Sequence, residues 1–460
     1  MLCIPDGMRS SAIDPIVKNL NGPNAPDFHS IVNEKYDRLP KEGWKPSWGR
    51  ISPLPLTGDT ALLTNLVVNA FDEYERCCLS LTQGSDLLYY DAFVIPALQG
   101  VPSPVLKHYL SGKLTAPWGV RRLDVSIDKD GNPLVWETDE HPGGVADAYA
   151  LDMAYGVNQT RWKLAIASLT KRGKLIFVVS SKWSSVYVQE MRWLAEQWDK
   201  VGAGSVAMVT TDELDQLQVG HDGQLYHRVS DGPRHKVGTI WRLFPLFEID
   251  QRLMDLVDMA SAGTIAMVPE VAPWGNKAWL GIFWELHDYF RQHMSNASFE
   301  LLQKTIPPSS LVRSQRDFPQ TVGMCTIASY EELRQLGGQA RNNLVLKVAG
   351  ATEQSTRSYG VYLGKTFTNT RWPEQVDKAF AAGAPVLLQQ YRAPATYTIP
   401  VWSVLNELGR LQPEDFNCRV LLRPWYINGM LVSCPVLACP TNMSKTHGCV
   451  DAAQIPLDLG

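Results

Sequence analysis

The sequence lacks the patterns that mark membrane, secreted or polyanion-binding proteins. None of its apolar stretches reaches the roughly 18 residues that a membrane span requires. The N-terminus has no basic segment followed by an apolar one, so we expect no secretory signal. Lysine and arginine form no run, and the net charge is −4 over 460 residues. We therefore expect neither nucleic acid nor a membrane as a partner.

Cysteine is sparse and carries no metal or disulfide pattern. The eight cysteines form no C-x-x-C pair and show no zinc-ligand spacing. Cys434 and Cys439 lie in an apolar stretch, which is typical of thiols that pack as small hydrophobic side chains. We expect a reduced thiol set without metal and a cytoplasmic location. The chain length allows about two or three domains or lobes.

One short region carries the strongest chemical signal: Arg122-Leu-Asp124, followed by Glu137-Thr-Asp139. The residues from 120 to 127 suit a strand, residues 130–133 (Asp-Gly-Asn-Pro) indicate a turn, and a second strand begins at residue 134. Side chains two positions apart on a strand share a face. The pattern therefore predicts a hairpin that brings the arginine and the carboxylates to one end of a small sheet.

A cluster of three carboxylates is costly unless a cation lies between them. Mg²⁺ is the natural candidate, because it is held by a few carboxylates together with substrate phosphates. The arginine is then expected to face an anionic substrate group. The Gly143-Gly144 turn that follows suits close approach of the backbone to a ligand. The alternative is an exposed hairpin that carries ordinary surface ion pairs.

A second region alternates strands and helices. Strands are predicted at 174–180, 205–209 and 238–243, and helices at 186–201 and 249–260, with a short helix opening at 211. This alternation predicts a small α/β lobe with a parallel sheet over about 170–268. It contains no G-x-G-x-x-G turn, so we do not assign a dinucleotide site.

Further helices and strands are expected on both sides of this lobe. The predicted helices are 61–81, 146–168, 276–290, 331–336 and 372–382, and the predicted strands are 344–347, 360–364, 385–391, 396–404, 418–426 and 430–437.

Two of these strands frame a loop that suits phosphate. Lys347 ends a strand, and the small, hydroxyl-rich segment from Gly350 to Gly360 leads into the next strand. Such a loop can donate N–H and hydroxyl groups to phosphate, with the lysine as a point charge. The alternative is a solvated hairpin. Farther along, the strand that ends in Gln389-Gln390-Tyr391 offers a possible edge for an adenine, or is simply a core strand.

Taken together, the order of these motifs resembles the circularly permuted ATP-grasp ligases, which include eukaryotic-type glutathione synthetase and glutathionylspermidine synthetase. The motifs are R-x-D, E-x-D with a Gly turn, Asn-Lys-Ala at 276–278, V-L-K with the hairpin loop, and V-L-L-Q-Q-Y at 386–391. The acids precede the lysines, as in a permuted chain. The resemblance covers roughly 115–450 and implies an α/β (α+β) fold of the circularly permuted ATP-grasp type with a central small parallel lobe.

The resemblance implies a role for each motif residue. Arg122 would bind the substrate carboxylate and stabilise its acyl phosphate. The Mg²⁺ ligands would be Asp124, Glu137 and Asp139. The ATP contacts would come from Lys277, Lys347, Ser355, Thr356, Ser358, Gly360, Gln389, Gln390 and Tyr391. Secondary anion contacts would come from Arg242 and Arg423.

Two departures from the family pattern stand in the sequence. Asp139 replaces the usual Asn, which adds a negative charge. The Gly-rich loop with an Arg-Glu pair is replaced by GATEQSTRSYG, in which Glu353 is a candidate for the missing acid.

The resemblance implies four regions and one reaction class. The regions are an N-terminal wrap with helices (1–115), the acid hairpin and helix (116–169), the central lobe (170–268) and the nucleotide-binding region with C-terminal strands (269–460). The reaction is ADP-forming ligation of a small-molecule carboxylate to an amine, with ATP and Mg²⁺. A phosphotransferase and a non-catalytic nucleotide-binding protein remain as alternatives.

Overall fold

The fold mixes helices and β-sheets. The computed structural model describes residues 50–51, 60–82, 95, 98–110, 119–139, 141–202, 204–228, 232–271, 276–356, 360–403, 413–443 and 452–460. None of the helices in these ranges combines the length and the apolar character that crossing a bilayer requires.

The helices are distributed along the whole described chain. They are α1 (Thr60–Thr82), α2 (Ser103–Leu110), α3 (Val145–Tyr155), α4 (Gln159–Thr170), α5 (Val188–Val201), α6 (Gln251–Ser261), α7 (Ala278–Glu285), α8 (His287–His293), α9 (Asn296–Thr305), α10 (Tyr330–Gln335), α11 (Gly338–Asn342) and α12 (Trp372–Ala381). Short 3₁₀ segments occur at Ser185–Tyr187, Thr211–Gln216, Leu246–Glu248, Glu353–Ser355 and Gly364–Thr366.

The strands group into separate sheets. They are β1 (Arg50–Ile51), β2 (Val120–Ile127), β3 (Pro133–Thr138), β4 (Lys174–Val179), β5 (Val206–Thr210), β6 (Leu217–Val219), β7 (Leu225–His227), β8 (His235–Leu243), β9 (Ala266–Val268), β10 (Ser309–Val312), β11 (Gln320–Val322), β12 (Cys325–Ile327), β13 (Leu344–Val348), β14 (Val361–Leu363), β15 (Val386–Gln390), β16 (Thr396–Ser403), β17 (Pro413–Leu422), β18 (Trp425–Ile427), β19 (Met430–Ser433), β20 (Val436–Pro440) and β21 (Ala453–Ile455).

The largest sheet holds the predicted hairpin. Its order is β16-β1-β21-β20-β17-β2-β18-β19, and β3 pairs with β2. A second sheet has the order β10-β15-β13-β14, and β11 and β12 form a separate hairpin. The hairpin of β2 and β3 thus joins the C-terminal strands, although the chain reaches those strands only after about 290 further residues.

The predicted parallel pairing of the central strands is confirmed. β4 pairs in parallel with β5 and β8, and β9 adds in parallel to β8. The sequence did not reveal the short antiparallel strands β6 and β7, which extend this sheet beyond β8. One face of the sheet packs on α4 and α5 through an aromatic cluster, in which Trp198 lies 5.5 Å from Phe177 and 5.8 Å from both Trp162 and Trp241, ring centre to ring centre.

Two predicted helices are interrupted. The helix expected over 146–168 divides into α3 and α4, because Gly156 ends α3 with a φ of 71° and Asn158 also has a positive φ. The helix expected from 276 to 290 begins at Ala278 and divides at Leu286, whose ψ of 31° is not helical. Each of these two predicted helices is therefore two consecutive helices in the structure.

Two predicted C-terminal strands are also divided. The strand expected at 418–426 begins earlier, as β17, and ends at Leu422, and Trp425 begins β18; both strands pair with β2. The strand expected at 430–437 divides between Ser433 and Val436. Pro424 and Pro435 stand at the two breaks. Proline has no N–H to donate to a sheet, which explains both.

Helix α1 anchors the hairpin from behind. Its buried residues follow helical spacing, as in Val67, Phe71, Tyr74 and Cys78. From the same helix, Glu75 and Asp72 form ion pairs with Arg121 of β2, which is 2% exposed. This buried arginine therefore ties the position of β2 to α1.

Replacement of Arg121 with Met is expected to destabilise the protein by about 3–5 kcal/mol, because Glu75 would remain buried beside no guanidinium. The double variant Glu75→Leu, Arg121→Met is expected to recover most of that loss. Urea unfolding measures both. A cost below about 1 kcal/mol for the single variant, as for an exposed pair, would contradict a structural role for this contact.

Candidate functional site

A β-bulge shapes the end of the β2–β3 hairpin. Asp124 pairs with Glu137, but Val125 pairs with Val135, so Trp136 is an extra residue on β3. A bulge of this kind re-aims side chains and is common beside active sites. Here it places two consecutive side chains, Trp136 and Glu137, opposite the single residue Asp124.

Arg122 is the buried centre of the charged cluster. Its Nε donates to Asp124 Oδ1 at 3.2 Å, its Nη2 donates to Asp139 Oδ2 at 2.6 Å, and its Nη1 donates to the carbonyl of Gly143. The residue is only 4% exposed. Burial by itself lowers the pKa of Arg122, but the carboxylates of Asp124, Asp139 and Glu137 outweigh it and raise the pKa. The guanidinium is therefore permanently charged.

Glu137 faces a lysine from a distant part of the chain. Lys277 Nζ lies 3.1 Å from Glu137 Oε2 and also donates to the carbonyl of Ser355 at 2.6 Å. One ammonium group thus joins the hairpin acid to the loop after β13. The predicted lysine and the predicted loop meet at the predicted acid.

Lys347 approaches the same hairpin from β13. Its Nζ donates to the carbonyl of Trp136 at 2.9 Å and lies 5.4 Å from the centre of the Trp136 ring. Burial lowers the pKa of Lys347 to about 7, with Lys277 adding to the effect and Glu137 and Asp124 opposing it. The nearby carboxylates balance the positive charge of this ammonium only in part, which favours an additional anion at this position.

The loop after β13 is organised by buried contacts. The side-chain oxygen of Asn276 accepts hydrogen bonds from the N–H groups of Gly350 and Ala278. The hydroxyls of Ser355 and Thr356 donate to carbonyls within their own turn, at Thr352 and Glu353. The loop is thus fixed at Gly350, and its hydroxyls hold a compact turn.

Of the two remaining predicted loop residues, Gly360 and Ser358, the structure describes only Gly360. Gly360 packs tightly, because a Cβ there would lie 2.6 Å from both the carbonyl oxygen of Gln354 and the side chain of Val348. Ser358 lies outside the described residues.

A shallow pocket opens beside Arg122 on the side of the C-terminal strands. Its lining residues are Arg122, Gly143, Gly144, Asp147, Arg423, Trp425, Pro435, Leu437 and Gln454. Arg423 Nε lies 3.6 Å from Asp124 Oδ1, so two arginines share this carboxylate. The pocket therefore presents two guanidinium groups, an amide and one carboxylate.

The Gly143-Gly144 turn makes a close approach, but to a side chain. A Cβ on Gly143 would lie 2.6 Å from the ring of Tyr187, and Gly144 has a φ of 84° as the residue before α3. Glycine is required here because the turn passes directly over an aromatic ring.

The strand that ends in residues 389–391 does not have the free edge that was predicted to bind adenine. β15 is an internal strand with β10 on one side and β13 on the other. The N–H of Gln390 donates to Pro308 and that of Tyr391 donates to Asn343, while Gln389 is fully buried. These backbone donors are already used and do not form a free edge. The side chain of Tyr391 remains half-buried at the site.

Arg242 stands apart from this arrangement. It is fully buried and donates to the carbonyls of Phe244, Pro269 and Glu270. These contacts fix the ends of β8 and β9 against each other. The guanidinium also lies 5.8 Å from the centre of the Phe244 ring.

Two of the three predicted carboxylates, rather than all three, are placed so that they could hold Mg²⁺. Within the described ranges, no three His, Cys, Asp or Glu side chains are grouped closely enough to hold a metal ion. Asp139 is directed to Arg122 and accepts from the N–H of His141. Asp124 and Glu137 are direct cross-strand partners, and two carboxylates completed by phosphate oxygens are a normal Mg²⁺ environment.

Some site residues were missed by sequence reasoning. The sequence pattern predicts Trp136 only as a strand residue, because its contact with Lys347 depends on the bulge. Asn276 was noted only as part of the Asn-Lys-Ala motif, although it holds the loop at Gly350. Tyr187 and Gln454 carry no local sequence signal, since both reach the site from distant elements.

No protein-family model matches the chain, and neither does any curated protein. Among solved structures, the chain is similar to a glutathione synthetase-like effector from Globodera pallida (14% identity, 89% of this chain and 91% of that chain covered, TM-score 0.42). It is also similar to a candidate gamma-glutamylcysteine synthetase from Methylobacillus flagellatus KT (10% identity, 74% and 80% covered, TM-score 0.37). At these values the likeness carries no functional argument.

The lowered pKa of Lys347 gives a pH-dependent prediction. Between about pH 7 and 10 the unfolded chain binds this proton and the folded chain does not, so unfolding free energy should rise with pH by up to about 1.4 kcal/mol per unit. The Lys347→Met variant should lack this contribution and be more stable than the wild type near pH 7. Urea unfolding at several pH values tests this. Parallel pH curves for the two proteins would contradict a buried, weakly compensated Lys347.

Proposed function

We propose that the chain is an ATP-dependent, ADP-forming carboxylate–amine ligase of the circularly permuted ATP-grasp type. The observation that carries the proposal is the meeting of three chain segments at one hairpin end. Arg122 and the acids come from the hairpin, Lys277 precedes α7, and Lys347 lies on β13. The lysines and arginines suit an anionic triphosphate and a substrate carboxylate, and the acids suit the Mg²⁺ that accompanies ATP.

The pocket beside Arg122 is the proposed site of the acid substrate. Arg122 and Arg423 can pair with its carboxylate. Asp147, in the first turn of α3, is placed to face a cationic group on the same molecule. The combination supports an amino-acid-like or peptide-like acid.

The lysines are proposed to hold the nucleotide phosphates. Lys277 and Lys347 are now directed to Glu137 and the carbonyl of Trp136, and phosphate oxygens would share them. Asp124 and Glu137 are proposed to hold Mg²⁺, which supplies neutralisation of charge on the transferring phosphoryl group. Asp139 keeps Arg122 oriented toward the acid.

The proposed reaction passes through an acyl phosphate. A carboxylate oxygen of the acid attacks the γ-phosphorus of ATP, and the bond to the ADP oxygen breaks. The amine nitrogen then attacks the acyl carbon, phosphate leaves, and the amine loses a proton. Arg122 stabilises the charge on the acyl oxygens in both steps, because it is pre-aligned and permanently charged.

The loop after β13 is proposed to shield that intermediate from water. Its contact with Lys277 at Ser355 links it to the phosphate site. A loop that closes in this way prevents hydrolysis of an acyl phosphate.

We also propose that the chain divides into four regions, with boundaries at residues 115, 169 and 268, and that the enzyme is cytoplasmic.

The first test is release of ADP from Mg-ATP in the presence of pooled amino acids, dipeptides and polyamines. Glu137→Gln is expected to lower turnover about 10²- to 10³-fold, the usual cost of one electrostatic contact in such a site. Asp128→Asn is the matched control. Asp128 lies on the same hairpin, and its described side-chain hydrogen bonds go to Asp130 and Asn132 of the turn, so this variant should remain active.

Two outcomes would change this assignment. Turnover that survives Glu137→Gln would remove the hairpin from the catalytic site. ADP release with an acid alone, unaffected by amines, would favour a phosphotransferase.

A second test separates acid binding from chemistry. Arg423→Met is expected to raise KM for the acid about 10-fold or more with a smaller effect on kcat, because it removes a contact to bound substrate. Arg423→Lys keeps the charge but loses the planar geometry, so its KM for the acid should lie between those of the wild type and Arg423→Met. A drop in kcat at constant KM would instead assign Arg423 to the positioning of Asp124.

A further inference from the structure

Gln454 brings a buried amide group into the proposed acid pocket. This residue of β21 lines the pocket and is only 7% exposed. Among the described residues, none exchanges a hydrogen bond with its side chain. A buried amide that lacks its hydrogen bonds is destabilising. The Gln454 side chain is therefore suited to pair with a group on a bound ligand.

The alternation of side chains along β21 explains why the amide faces the pocket. Gln454 pairs across the sheet with Leu437 of β20, which also lines the pocket. Its chain neighbours Ala453 and Ile455 belong to the main core on the other face of the sheet. Because successive side chains of a strand point to opposite faces, Gln454 shares the pocket face with Leu437.

The segment that carries Gln454 is held firmly in place. β21 lies between β20 and β1 in the large sheet. Beyond β21, Asn158 Nδ2 donates to the carbonyl of Leu457 at 2.9 Å, and Asn158 Oδ1 accepts from the N–H of Leu459 at 3.1 Å. Arg161 Nη2 donates to the carbonyl of Leu459 at 3.0 Å. The amide is thus presented by a preorganised strand, which favours selective binding.

The surroundings of this amide favour an uncharged ligand group. Leu437 and Pro435, which line the pocket together with Gln454, are apolar. Arg122 and Arg423 pair with hairpin carboxylates and are assigned to the reacting carboxylate of the substrate. A second charged group on the substrate, buried beside Gln454, would meet only a neutral amide there, and burial of an unpaired charge is costly.

The chemistry of an amide narrows the choice further. The side chain of glutamine offers N–H donors and a carbonyl acceptor side by side. A carboxamide on the ligand can pair with both at once, one hydrogen bond in each direction. A hydroxyl has its donor and acceptor on one atom and cannot align both bonds well. A trans peptide bond directs its N–H and C=O to opposite sides, so it can satisfy only one of them.

We propose that Gln454 is a specificity-determining residue of the acid pocket, and that it recognises a side-chain carboxamide on the acid substrate. This inference rests on the proposed function and names the class of its acid, an amino acid of the asparagine or glutamine type. In this arrangement the arginines hold the carboxylate, Asp147 faces the amino group, and Gln454 pairs with the carboxamide.

The test is calorimetric titration of the full chain, without nucleotide, with free amino acids as probes. The wild type is expected to bind L-asparagine or L-glutamine about 10- to 100-fold more tightly than L-aspartate, L-glutamate and L-norvaline, which are similar in size but have no carboxamide. The preferred member of the first pair gives the length of the substrate side chain.

Gln454→Met keeps the approximate shape of the side chain but removes its donors and acceptor, so it should lose this preference. Gln454→Glu, which lacks the N–H donors, should lose it as well and gives an independent comparison. Gln218→Met is the matched control. Gln218 is a strand glutamine whose side chain is exposed on β6, so this variant should bind the probes as the wild type does.

Three results would overturn the inference. The first is a wild type that binds the carboxamide probes no more tightly than their counterparts, or binds none of them. The second is a preference that survives in both Gln454 variants, which would assign it to another residue. The third is tighter binding of glycylglycine than of either carboxamide, which would place a peptide bond in the pocket.

The same titrations separate this inference from the proposed function, because they do not depend on turnover. Release of ADP with an acid that lacks a carboxamide, together with no carboxamide preference in binding, would leave the ligase and remove the role of Gln454. The expected preference in binding without any release of ADP would support the role of Gln454 and contradict the ligase.

Discussion

The balance of charge at the end of the β2–β3 hairpin is the constraint on which the rest of this structure depends. Three carboxylates lie at this end, and each forms an ion pair: Asp124 with Arg122 and Arg423, Asp139 with Arg122, and Glu137 with Lys277. Burying such charges is tolerable only when they are paired and well oriented. The fold therefore has to bring distant chain segments to one place, and in doing so it assembles a site for anions and a divalent cation.

The bulge at Trp136 connects this balance of charge with the proposed mechanism. It places Trp136 and Glu137 together opposite Asp124, so one short segment meets the proposed phosphate and metal positions. Lys347, which donates to the carbonyl of Trp136, joins β13 to the same segment. Binding of the nucleotide and alignment of the acid that serves the reaction are thereby linked through adjacent residues, without the need for a large rearrangement.

The hairpin and its charged residues could be predicted from sequence because their signals are local: two strands, a turn and side chains two positions apart. The parallel central strands were predictable for the same reason, from alternating strand and helix patterns. Other features depend on tertiary contacts. The internal position of β15 follows from its pairing with β10 and β13, and the bulge follows from strand register. Pro424 and Pro435 stand at the breaks between C-terminal strands, so these breaks have a local signal in the sequence.

If this site activates a carboxylate with ATP, hydroxylamine can detect the activated acid without knowledge of the natural amine. Hydroxylamine intercepts acyl phosphates as hydroxamates. With Mg-ATP, pooled amino acids and dipeptides, we expect hydroxamate and ADP in equal amounts. ADP without hydroxamate, or neither product from a protein that binds ATP, would contradict activation of a carboxylate at this site.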